Sequence, residues 1–387
     1  MIAGVALKEL TTPPDAAGIP RKFSLLRNTR HNEIPPLMKK IEETIAEQIA
    51  VMFQCLEKRA NPLFAPSTFW KELCDKHAAL LRQHGFGRFK RTVNFWYGQW
   101  PICSLSDWQT KHLLKQLLKS GQLPYVPLLA RIRDAEDVAW PANASSAATA
   151  YKVFVGLLWQ LALSKDRLGC LKSCEEASVG GPINITYRNR LISQDMAQSS
   201  LELNSIMNHV GAGRCKKIGE VGGGSGRFAY LFMRTFPNSQ YSIFDIPPAL
   251  AISQNHLAAA LGEGKVAIFD AQAGQDFVVD RPASGRLSAY LPYSLQSVPD
   301  GYFDLFLNVS SFDEMLPEQV DCYFDLIDRK CSGWLYLKGY TSRTGADLTR
   351  PWGLAQFPYR PNWKLVYEAK DPIMPSFSER IYDLRRS

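Results

Sequence analysis

The spacing of apolar residues changes character about half-way along the chain. Between Pro35 and Glu57, Leu37, Ile41, Ile45, Ile49 and Phe53 recur at steps of four, which puts them on one face of an amphipathic helix. A second helix is predicted from Ser67, which caps it, with Phe69, Trp70, Leu73, Leu80 and Leu81 apolar and Glu72 in its early turns. A third runs from Ser106 to Leu118 behind a Ser or Asp cap. Ala142 to Ala150 reads as a connection or a weak helix start. The apolar run Val153 to Leu163, broken by Gln160, is too short for a bilayer and reads as a buried helix. Gly85 to Trp100 mixes aromatics, cations, glycines and Asn94 without a period, so it is either an irregular loop beside a pocket or an aromatic anchor between helices. Residues 1–30 read as a loose arm, and residues 31–185 as a mainly helical domain.

From about residue 186 onward the rhythm is different. Ser193-Gln-Asp195 opens a helix to about His209. Strand-like segments follow at Lys216–Val221, Gln240–Phe244, Val266–Phe269, Phe303–Asn308 and Trp334–Lys338, with helices predicted at Arg227–Thr235, Pro248–Leu261 and Pro317–Arg329. Such alternation predicts a parallel α/β sheet covered on both faces. The last two strands, Trp363–Glu368 and Glu379–Leu384, are joined by a link too short for a helical crossover, so they should pair antiparallel.

Composition narrows the picture only slightly. The chain has 387 residues, 46% hydrophobic and 21% charged, which excludes a disordered or fibrous protein. The formal charge of +8 is spread out, the tightest group being Arg88, Lys90 and Arg91, so it reads as solvated surface and no nucleic-acid or membrane partner is expected. A basic mouth for a phosphorylated or nucleotide-linked substrate fits equally well. The eight cysteines include no CxxC pair, and Cys170 and Cys174, four apart, lack a second pair nearby; reduced thiols in a cytoplasmic protein are expected. No basic, apolar leader precedes the first helix.

The chemistry concentrates in Lys217-Ile-Gly-Glu-Val-Gly-Gly-Gly-Ser-Gly-Arg-Phe228, where a strand runs into glycines and a helix begins. Glycines allow a sharp turn and close approach of backbone to a ligand, and a helix start presents free N–H groups to it. Dinucleotides and S-adenosylmethionine both use this device. The dinucleotide spacing is G-x-G-x-x-G, whereas here Gly222, Gly224 and Gly226 alternate, and Glu220 would repel a pyrophosphate while suiting an ammonium group. Asp245 ends the next strand and offers a carboxylate to ribose hydroxyls. Asp270 ends the third and is expected at the adenine.

This E-x-G-x-G-x-G pattern resembles motif I of class I S-adenosylmethionine-dependent methyltransferases. The resemblance implies a Rossmann-like sheet of seven strands, the last antiparallel. After the fourth strand, Asn308-Val-Ser-Ser-Phe-Asp-Glu-Met315 differs from the D/N-P-P-Y/F of base N-methylation and resembles a bacterial family of sugar O-methyltransferases. Phe89-Lys-Arg-Thr-Val-Asn94, Ile192-Ser-Gln-Asp195, Phe244-Asp-Ile-Pro247 and Leu335-Tyr-Leu-Lys-Gly339 extend that similarity over roughly residues 60–385. By this resemblance Gln194, Glu220, Gly222, Gly223, Gly224, Gly226, Asp245, Ile246, Asp270, Asn308 and Ser310 bind the cofactor. Glu314 is the favoured base for a sugar hydroxyl, with Asp313 and His84 as alternatives, unless Glu314 only orients its loop. Lys338 could reach substrate or pair with a helix. Asp313, Glu314 and Asp270 could hold a divalent metal, but no spacing demands one and none is expected. The implied acceptor is a sugar or glycosylated small molecule, and a homodimer is compatible. A polyketide, peptide or phenolic acceptor, a binding protein without catalysis, and a nicotinamide oxidoreductase are the alternatives.

Overall fold

The computed structural model describes residues 36–93, 105–124, 130–132, 144–183, 185–211, 213–270, 286–342 and 353–386. The loose arm of residues 1–30, Asn143 and the second half of the aromatic segment lie outside these residues.

Four long helices build the N-terminal half: α1 (Pro36–Arg59), α2 (Thr68–His84), α3 (Trp108–Lys119) and α4 (Ala144–Lys165). Helix α1 buries Ile41, Ile45 and Ile49, the positions its four-residue period singles out. Ser67 caps α2, accepting a hydrogen bond from the Trp70 amide at 3.4 Å. Helix α4 absorbs both the Ala-rich start and the apolar run. By length and composition Ser146–Lys165 could cross a membrane, yet 67% of its apolar window is buried in protein, where α3 and the next helix cover it. A small antiparallel sheet, β1 (Arg131–Ile132), β2 (Ile185–Tyr187) and β3 (Arg190–Ile192), was not expected. Its strands are too short to show alternation, and its β2–β3 turn places Arg188 and Asn189 at positive φ without a glycine to mark it.

Helix α5 (Gln194–Val210) leads into the large sheet, whose strands are β4 (Lys217–Val221), β5 (Gln240–Phe244), β6 (Val266–Ala267), β7 (Leu287–Tyr290), β8 (Phe303–Val309), β9 (Cys331–Tyr340), β10 (Lys364–Lys370) and β11 (Phe377–Asp383). Their order is β10-β11-β9-β8-β4-β5-β7-β6, and only β11 runs against the rest. Helices α6 (Arg227–Thr235), α7 (Ala249–Leu261) and α8 (Pro317–Lys330) complete the α/β half. All seven expected strands are present. The eighth, β7, inserts between β5 and β6 and displaces β6 to the edge of the sheet.

One cluster of buried residues runs through both halves. Polar clasps fix their juxtaposition. The Gln48 side-chain oxygen on α1 accepts from Gln254 (2.9 Å) and Asn255 (2.7 Å) on α7, and Gln319 on α8 donates to the carbonyls of Pro62 (3.1 Å) and Ala65 (2.8 Å). The described part of the aromatic segment is an anchor. Phe86 and Phe89 are fully buried, and the Phe89 ring meets His256 edge-on at 5.5 Å. Lys90 pairs with buried Glu176 beside them.

Candidate active site

The carboxyl ends of β4, β5, β8 and β9 open into a cavity of about 300 Å³. Its floor is the glycine loop after β4. Phe64 and the first turns of α2, with Phe69, Trp70 and Leu73, close it from the N-terminal half. The loop is pinned at both ends. The Gly222 amide donates to the Phe244 carbonyl at 2.9 Å, and Gly226 to Gly223 at 2.9 Å. Asp245, almost fully buried, accepts from the amides of Gly224 and Ile246, both at 2.8 Å. It therefore shapes the loop and lies on the cavity wall together.

Two carboxyls here are unusual. Burial pushes Asp245 up to about 7, against the pull of its two N–H donors. Burial likewise raises Glu220 to about 7, opposed by the Tyr241 hydroxyl that donates to it at 2.8 Å and by nearby Arg227. Since the folded value of Glu220 exceeds its unfolded one, its contribution to stability is greatest below the unfolded value and is lost as pH rises through about 7. The expected result is that Glu220→Gln gains on the wild type in melting temperature between pH 5 and pH 8 in the ligand-free protein. A difference that stays flat with pH would remove this account of Glu220.

Asn308 braces the loop from β8 rather than facing the cavity. Its amide donates to the Val221 carbonyl at 2.9 Å and to the Ser311 hydroxyl, and its oxygen accepts from the Phe312 amide at 3.2 Å. Ser310 lines the cavity at φ +58°, and Ile246 lines it near Asp245. Asp313 and Glu314 follow β8 and both line the cavity. Asp313 is 3% exposed, against β9. Glu314 is tied to α2: its carboxylate accepts from the Trp70 indole N–H at 2.8 Å, and its carbonyl accepts from the Ser67 hydroxyl at 2.9 Å.

Four positions singled out by sequence lie apart from the cavity lining. Asp270 is exposed at the end of the edge strand, because β7 occupies the place assigned to its strand; Pro292, after β7, lines the cavity instead. His84 is exposed at the far end of α2, about 20 Å along the helix axis from Trp70. Gln194 is buried at the start of α5 near the Tyr151 hydroxyl (3.4 Å), and it is Gln198, one turn on, that reaches the wall. Gly226 starts α6 beneath the lining, where an added Cβ would meet Leu257 at 2.8 Å. Among the described residues no group of three or more His, Cys, Asp or Glu could hold a metal.

Sequence reasoning missed a buried charge cluster on the wall. Glu202 of α5 receives Arg227 in two hydrogen bonds (2.7 and 3.0 Å) and Lys338 in a third (2.9 Å), while Lys338 also pairs with Asp371 at 2.6 Å. Burial alone would raise Glu202, but Arg227 and Lys338 overcome it and hold it down at about 2. The one signal for it in the sequence was Arg227 directly after the last glycine.

A nucleoside fits this ground plan. Glycines leave the loop open where side chains would fill it, a carboxylate stands at the end of β5, and a carboxylate rather than an extended basic cradle lies beneath the loop. Fold and site together define a class I methyltransferase domain that takes S-adenosylmethionine as its cofactor. Residues 185–282, about a quarter of the chain, match the O-methyltransferase domain family. No curated protein matches the sequence. Among solved structures, the PH0226 protein from Pyrococcus horikoshii OT3 is 13% identical over 49% of this chain and 92% of its own, with a TM-score of 0.36. Human N-acetylserotonin methyltransferase in complex with SAM is 14% identical over 50% of this chain and 55% of its own, at 0.31. The pyocyanin biosynthetic protein PhzM is 12% identical over 49% and 56%, at 0.30.

Proposed function

We propose that this protein methylates a hydroxyl of a small molecule, a sugar or glycosylated compound, using S-adenosylmethionine. The observation that carries the reading is the position of Asp313, a buried carboxylate after β8 on the wall of the same cavity that holds the glycine loop and Asp245. The cofactor, when bound, supplies an electrophilic methyl group on a sulfonium, so the protein's task is to orient the acceptor and manage one proton. A sugar hydroxyl becomes a competent nucleophile as a base accepts its proton. Glu314 matches the family stretch, but its carboxylate already holds Trp70. We therefore assign Asp313 as the base and give Glu314 the work of fixing α2 over the cavity.

Phe64, Phe69 and Trp70 offer flat apolar faces that suit the C–H face of a sugar ring, and Asp313 supplies the polar partner. The same apolar wall, extended by Leu73, Met315 and Phe377, favours the second reading, a tailoring methyltransferase of a polyketide, peptide or phenolic product. The seven described cysteines are all free, which supports a reducing, cytoplasmic setting.

The test is incubation with S-adenosylmethionine and panels of sugars, nucleotide sugars and phenols, read by mass spectrometry. A gain of about 14 Da, one CH₂, on a sugar hydroxyl is expected. Gain on phenols alone would move the assignment to the second reading. Cofactor binding with no acceptor modified across any panel would leave a binding protein.

A further inference from the structure

Four buried charges beside a cavity need a reason. Removing ions from water is costly, and their mutual attraction recovers the cost only with full hydrogen bonding. The Glu202, Arg227, Lys338 and Asp371 group is not fully used. Arg227 has five N–H donors, of which one goes to the Ser199 hydroxyl at 2.8 Å and two to Glu202. Lys338 has three and gives one each to Glu202 and Asp371. Both cations therefore keep donors, and both line the cavity. A second, independent observation lies on the same wall. The side-chain oxygen of Gln198, a residue only 3% exposed, has no hydrogen-bond partner. A buried amide oxygen left unpaired is costly, and in native structures it calls for a partner.

The placement is specific. Asp245 follows β5, on one side of the glycine loop, and Lys338 lies on β9, on the other. Three strand spacings, about 14 Å, separate β5 from β9, and Arg227 stands between them at the start of α6. A ligand gripped by its ribose at Asp245 and running across the loop would bring its far end to Arg227, Lys338 and Gln198.

We infer that this group is the receptor for the amino-acid head of the cofactor, its carboxylate on Arg227 and Lys338 and its ammonium on Gln198. Glu202 is the positioning residue that holds the two cations apart and aimed. The inference rests on the cofactor assignment above and adds the end of the ligand that the glycine motif does not specify. Glu220, expected from the sequence to serve the methionine end, is instead committed to Tyr241 beneath the loop.

Two probes separate the possibilities: S-adenosylhomocysteine, which carries the amino-acid head, and 5′-methylthioadenosine, which lacks it. Both are titrated calorimetrically into the full-length wild type and into an R227M/E202L double variant. Removing the pair together avoids leaving Glu202 charged and alone, and Lys338 keeps Asp371. The expected result is tighter wild-type binding of S-adenosylhomocysteine than of methylthioadenosine. In the double variant the first should weaken at least about 10-fold and the second should stay within about twofold, as loss of charge-assisted bonds to the head alone requires. Retained methylthioadenosine binding also shows that the variant is folded. Equal weakening of both probes, or unchanged S-adenosylhomocysteine binding, would overturn the assignment. So would equal wild-type affinity for the two probes, which leaves the cofactor reading standing. A wild type that binds neither probe overturns both.

Discussion

Gly222→Ala is expected to remove measurable cofactor binding and to cost the fold about 1–3 kcal/mol. Gly222 sits at φ +75°, a conformation that residues with a Cβ rarely adopt, and an added Cβ would lie 2.3 Å from the Ser311 hydroxyl. Neither neighbour can yield cheaply. Ser311 is held through Asn308 and the Val221 carbonyl, and the Gly222 amide is bonded to β5. Calorimetric titration with S-adenosylhomocysteine and a urea unfolding curve read the two effects separately. Gly264→Ala, where a Cβ would meet nothing within 4 Å, is the control. Adding Ser311→Gly to Gly222→Ala should recover part of the stability, since it removes the clash and leaves the backbone strain. Wild-type affinity in Gly222→Ala would mean that the loop is not the floor of the cofactor site.

That loop was the most legible part of the chain, and for a local reason. Glu220, the alternating glycines and the helix start lie within eight residues, so their spacing carries their geometry. The parallel strands were legible for a similar reason, each being an apolar segment bounded by a helix of the right period. Leu287–Tyr290 escaped because four residues are too few for alternation to show, and the cost fell on Asp270. Val266–Phe269 is the more strand-like stretch, so its end took the role that β7 fills in space. The charge cluster was beyond reading, because Glu202, Arg227, Lys338 and Asp371 come from four separate parts of the chain and only the sheet order brings them together. The α2 wall escaped for the same reason. Trp70 sits on an ordinary amphipathic helix, and nothing near it in sequence points to Glu314.

The sequence preferred Glu314 as the base, and the geometry gives the two carboxylates different work, so paired variants should behave differently. Asp313→Asn keeps size and shape but removes the proton acceptor. With the acceptor found in the mass-spectrometric screen, kcat is expected to fall about 100- to 10,000-fold, the range for loss of a positioned general base, while S-adenosylhomocysteine binds as before. Glu314→Gln retains a side-chain oxygen for the Trp70 indole N–H, so α2 stays over the cavity and kcat should fall less than about 10-fold, the neutral amide accepting more weakly than the carboxylate. Trp70→Phe breaks the same contact from the other side and should raise KM for the acceptor with a smaller effect on kcat, because it loosens the wall and leaves Asp313 in place. If Glu314→Gln instead shows the large kcat loss and Asp313→Asn the small one, the base is Glu314, and the indole must release it when the acceptor enters. A hydrogen bond to the carboxylate favours its charged form and makes it a weaker base, which is why an occupied Glu314 is the poorer candidate on chemical as well as geometric grounds.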